Sequence, residues 1–65
     1  MIQYKICVTN ISHAINVLVQ NGYKAINGGS YVEFKASKES KMEVVLLLNK
    51  HNVVVYDIEE QLMGY

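Results

Sequence analysis

Two stretches thirty residues apart, LVQNGYKAI at Leu18–Ile26 and LLNKHNVVVYDI at Leu47–Ile58, follow one plan. Each reads as the apolar end of a helix, a polar stop carrying Asn or Gly, and a strand-like run. Leu18, Gly22 and Ala25 map onto Leu48, Asn52 and Val55 at that constant offset. A chain that writes the same half-structure twice must bury the apolar side of both halves in one core, and this limits its folds to a few. With 65 residues there is room for one domain, spanning 1–65, of a size that buries only about 60% of its unfolded surface.

The elements around the repeat complete each half. From Met1 to Val8 the chain alternates, with Ile2, Tyr4, Ile6 and Val8 on one face and Gln3, Lys5 and Cys7 on the other, the period of a half-buried strand. Thr9 and Asn10 suit a helix start, and Ile11, Ala14, Ile15 and Leu18 continue at the three-four spacing of an apolar stripe up to Asn21-Gly22. Tyr23–Asn27 and Tyr31–Ala36 read as strands joined by a hairpin at Gly28-Gly29-Ser30. Ser37 or Ser40 is expected to cap a second helix, the latter with Glu43 as a capping box. That helix stops near His51-Asn52, and the β-branched run Val53–Ile58 supplies the fourth strand. The order βαββαβ predicts an α+β, ferredoxin-like sandwich: a four-stranded antiparallel sheet with two helices on one face, and the first and third strands at its centre.

Composition narrows the function classes. Six basic and six acidic residues cancel, and the basic residues, all lysine, are spread along the chain, so no nucleic-acid partner is expected. Tyr31 is the one aromatic on the exposed faces of the central strands, too little for base stacking. A lone cysteine, Cys7, allows no internal disulfide, and an unstapled domain of this size fits a reducing cytoplasm. The longest apolar run, Val44–Leu48, is far short of the ~20 residues of a membrane span, so no direct insertion is expected.

Catalytic, cofactor and metal sites are not expected. Cys7 lacks a second thiol, and His13 and His51 stand thirty-eight positions apart without a third ligand at a suitable spacing. Gly28-Gly29 precedes neither the Lys-Ser/Thr pair nor the helix that a phosphate loop requires, and a hairpin turn accounts for it. Ser12 and His13 are adjacent on a helix, where neighbours in sequence point in different directions.

Taken together, AINVLVQNGYKAI, the hairpin, YVEFKA and VVLLLNKHNVVVYDIEE resemble the C-terminal accessory domain that follows the ATP-binding domain in a group of bacterial ABC-transporter ATPases, among them subunits similar to bacitracin or lantibiotic exporters. The marks are A-I-x-x-L at Ala14–Leu18, N-G-Y at Asn21–Tyr23 and L-L-x-x-H-x-V-x-V-Y-D-I at Leu47–Ile58. The chain departs from the family's Leu-Glu-Asp and aromatic continuation, carrying Glu59-Glu60-Gln61-Leu62-Met63-Gly64-Tyr65 instead. The resemblance implies a domain excised from a larger ATPase subunit, with Met1 supplied for expression, that is not itself an enzyme. Its implied work is regulatory or structural, at the cytoplasmic face of the membrane. Its partners would be the ATP-binding domain of the same polypeptide and that domain's dimer mate, and indirectly the membrane permease subunits. An ACT-like module that senses a small molecule is the alternative, though Val8–Ile11 lacks the glycine such ligand loops use. A freestanding dimeric enzyme of ferredoxin-like type ranks third.

Partner-facing residues follow from laying one helix on the other. Val44, Val45 and Leu48 match Ala14, Ile15 and Leu18 and suffice to cover the sheet. Leu46 then matches Asn16, on a polar outer face with His13 and Gln20, and Leu47 matches Val17 on the opposite flank of that face. Leu46 and Leu47 are therefore the expected docking residues, set among Glu39, Glu43 and Lys50.

Overall fold

The structure is a computed structural model that describes residues 2–62. Its elements run β1 (Ile2–Val8), α1 (Ile11–Gln20), β2 (Ala25–Asn27), β3 (Val32–Ala36), α2 (Ser40–Lys50) and β4 (Val55–Leu62). The strands form one antiparallel sheet in the order β2-β3-β1-β4, which places β1 and β3 at the centre, and with the two helices it makes the ferredoxin-like α+β sandwich.

Alternation along β1 sets the layers. Ile2, Tyr4, Ile6 and Val8 are buried, while Gln3, Lys5 and Cys7 are half-buried on the opposite face. Across the β1–β3 ladder Tyr4 opposes Phe34 and Ile6 opposes Val32, so the apolar sides of both central strands share one face. Ala14, Val17 and Leu18 of α1, Val44 and Leu48 of α2, and Val53 close the core over that face. Ile6, Leu18, Val32, Val44, Leu48 and Val53 are fully buried. Each such aliphatic side chain contributes roughly 1.5–3 kcal/mol of transfer free energy. Tyr4 stacks on Phe34 at 5.2 Å between ring centroids, and Tyr23 meets the same ring edge-on at 6.3 Å.

The two helices end alike. Tyr23 N–H donates to Leu18 O at 3.0 Å, and Val53 N–H donates to Leu48 O at 2.9 Å. Gly22 has φ 91° and Asn52 φ 65°, so each half reverses direction through a left-handed residue after its helix. The helix starts differ. Asn10 caps α1, its side chain accepting from His13 N–H at 3.1 Å. At α2 the expected capping box is absent: Glu39 is the N-cap and makes no side-chain cap bond. Ser40 is already helical, and its hydroxyl instead lies 3.0 Å from that of Ser37.

Strand limits also shift from expectation. β2 begins at Ala25 because Tyr23 is still tied to Leu18. β4 begins at Val55 and runs on through Glu59, Glu60 and Gln61, paired with Lys5, Tyr4 and Gln3. Between Cys7↔Asp57 and Val8↔Val55 the register slips, which leaves Tyr56 as the extra residue of a bulge, 67% exposed. The expected tail of 59–65 thus divides: Glu59–Leu62 belongs to β4, and Met63, Gly64 and Tyr65, like Met1, lie outside the described residues.

Candidate functional site

Large apolar side chains meet solvent singly at Val19, Ile26, Val54 and Tyr56, and in a pair on the outer side of α2. Leu46 is 61% exposed, and Met42, one turn earlier, is 63% exposed. Residues four apart on a helix are neighbours on one face, so the two form a continuous apolar stripe. Exposed Glu39 and Glu43 border its N-terminal part, and exposed Asn49 and Lys50 its C-terminal part. Glu43 in the first turn and Lys50 in the last each complement the helix dipole.

Leu46 and Leu47 do not share this surface. Leu47 is half-buried and packs against the core, as does its counterpart Val17, only 4% exposed. With successive residues about 100° apart on a helix, the burial of Val44 and Leu48 turns Leu47 inward and Leu46 outward. Met42 is the residue that pairs with Leu46, and a signal for it exists: it stands where α1 has exposed Ser12, just as Leu46 stands where α1 has exposed Asn16. On its inner flank α2 is pinned by Lys41, whose ammonium lies 2.9 Å from the carboxylate of Glu60 on β4.

Two histidines distant in sequence meet in space. His13 Nε2–H donates to the carbonyl oxygen of His51 at 3.1 Å, and the rings are 6.4 Å apart, edge to face. This clasp ties the start of α1 to the end of α2. Among the described residues no group of three or more His, Cys, Asp and Glu side chains is placed to hold a metal ion.

On the helix-free face of the sheet the polar side chains pair with one another. Gln3 Nε2 donates to Glu33 at 2.6 Å, and the Lys5 ammonium sits 5.3 Å from the centre of the Tyr31 ring. Cys7 is half-buried there, opposite Asp57. Beside them Gln3, Lys24, Ile26, Glu33, Phe34 and Lys35 line a shallow depression of about 200 Å³.

Fold and surface define a small ferredoxin-like α+β domain with an apolar stripe on one helix. No protein-family model, no curated protein and no solved structure matches the chain. Among the described residues no helix is long and apolar enough to cross a membrane.

Proposed function

We propose that this domain is a non-catalytic regulatory and assembly module at the C-terminus of a bacterial ABC-transporter ATP-binding subunit, working at the cytoplasmic face of the membrane. The observation that carries the reading is the Met42–Leu46 stripe. The chain leaves two large apolar side chains in solvent on a helix whose Val44, Leu47 and Leu48 face the core, while Val45, expected to cover the sheet with them, is half-buried and outside the core cluster. Apolar surface of this kind, rimmed by charge, is what a partner covers. The sequence resemblance supplies the partner: the ATP-binding domain or its dimer mate. ATP hydrolysis belongs to that domain, and this chain adjusts its assembly or its coupling to the permease subunits.

The test is a titration against an ATP-binding subunit truncated before this domain. The chain should bind it, Leu46→Asp should weaken assembly of the full-length subunit while sparing the fold, and calorimetry of the chain with Mg-ATP should give no saturable heat. Micromolar ATP binding by the chain, or no interaction with the truncated subunit, overturns the reading.

A second reading, an ACT-like sensor, draws on the shallow depression of the sheet face. Lys24 and Lys35 offer charges to a carboxylate, Glu33 to an ammonium, and Ile26 an apolar contact, which together fit a free amino acid. Amide shifts confined to Lys24–Ile26 and Glu33–Lys35 on titration with amino acids would favour it over the first.

A further inference from the structure

We propose that the α2 stripe is a two-fold interface on which a second copy of this chain docks through its own α2, antiparallel. This rests on the reading of α2 as a docking surface and names its occupant.

The argument is charge complementarity along the helix. With Leu46 on a two-fold axis, Glu43 lies three residues, about 4.5 Å, to one side and Lys50 four residues, about 6 Å, to the other. An antiparallel partner therefore brings its Lys50 level with Glu43 to within about 1.5 Å along the axis, and the symmetry makes this pair twice. Glu43 and Lys50 are seven residues apart, hence on the same flank of the stripe, and a two-fold axis across the helices lays that flank against its own copy. Met42 then faces the partner's Leu46. Opposed helix dipoles also favour the antiparallel arrangement. Among the described residues neither group makes an ion pair within the chain, and the ion pair of α2 with the sheet is made by Lys41 and Glu60.

One helix pair falls short of the roughly 1,200–2,000 Å² that stable complexes bury, so the dimer is weak and forms at micromolar to millimolar concentration. In the parent complex, where two copies are held near one another, effective concentration makes such a contact sufficient.

Sedimentation equilibrium of the chain, with circular dichroism as the control for folding, provides the test. The wild type should dimerise reversibly, less in high salt, and Leu46→Asp should weaken dimerisation about tenfold or more. Glu43→Lys and Lys50→Glu should each weaken it, and the double swap Glu43→Lys/Lys50→Glu should restore it. The swap opposes the dipole of α2, so recovery cannot come from a better helix. Filtered NOEs in a half-labelled sample should place Leu46 methyls against Leu46 and Met42 of the other copy. A chain that stays monomeric at millimolar concentration, or a double swap that behaves as the sum of its singles, overturns the dimer. A monomer that still binds the truncated ATP-binding subunit defeats this inference and leaves the assembly reading standing, whereas a dimer that ignores that subunit does the reverse.

Discussion

Gly22 and Asn52 hold one backbone conformation at equivalent places in the two halves, with φ 91° and 65°. Each carries the chain out of a helix toward a residue whose amide returns to the carbonyl five positions back. The left-handed region costs an ordinary L-residue about 1–2 kcal/mol, a penalty glycine escapes and asparagine reduces.

Asn52→Ala should therefore lower stability by about 1 kcal/mol, and Asn52→Gly should leave it within about 0.5 kcal/mol of the wild type. Urea denaturation of both variants checks the pair. Equal losses would mean that the Asn side chain, not its backbone tolerance, fixes the stop.

Gly28 is required for a different reason. A Cβ there would overlap the ring of Tyr31, which folds back over the hairpin while the Gly28 amide donates to the Tyr31 carbonyl at 2.8 Å. Gly28→Ala should cost about 1–3 kcal/mol by overpacking. In Gly28→Ala/Tyr31→Ala most of that loss should disappear relative to Tyr31→Ala alone, a non-additivity read from thermal melts.

Tyr4 makes stability sensitive to alkaline pH. Its phenol is buried, with the hydroxyl 3.5 Å from Ser37 O, and its pKa is raised above 10.0, first by burial and then by Glu60. A raised folded-state pKa leaves the folded chain holding a proton that the unfolded chain has released. The contribution is thus complete below pH 10 and is lost as pH climbs through the folded value. Tyr4→Phe should flatten that alkaline slope relative to the wild type. At neutral pH it should cost no more than about 1 kcal/mol, since the bond it removes is long.

Cys7 sits half-buried on the helix-free face, away from the core. Cys7→Ser should change stability by no more than ~1 kcal/mol and leave the far-ultraviolet spectrum unchanged with or without zinc. A zinc-dependent gain in melting temperature that Cys7→Ser abolishes would reverse the assignment.

How far the residues foretell the structure depends on whether a rule is local. The period of two along β1 is legible because both faces of that strand are decided by one sheet, and Asn10 is legible as a cap because its partner, the His13 amide, is three residues away. The thirty-residue offset carries the helix stops and the outward turn of Leu46 for the same reason. The start of α2 is not legible: Ser37, Ser40 and Glu43 satisfy a capping pattern that the backbone does not use. Nor is the reach of β4, where Glu59, Glu60 and Gln61 have poor strand propensity and are held by pairing with β1, more than fifty positions upstream. The meeting of His13 with His51 is likewise tertiary. Leu47 reads as outward only when Val17 is misplaced: Val17 is buried with Ala14 and Leu18 of α1, and Leu47 packs against the same core.

The strand order has a consequence for how the chain folds. With β2-β3-β1-β4 as the sequence across the sheet, β1 and β2 are not neighbours and neither are β3 and β4. Every ladder joins the first thirty residues to the last thirty-five, so a chain nicked in the Gly28–Ser30 turn would yield two fragments, neither containing a single strand pair. Each should be unstructured alone and regain the sheet only on mixing. In the intact chain, closure of β1 against β4 spans nearly the whole length, and such non-local contacts slow folding and bind the halves into one cooperative unit. Hydrogen exchange should accordingly find no half that opens while the other stays shut.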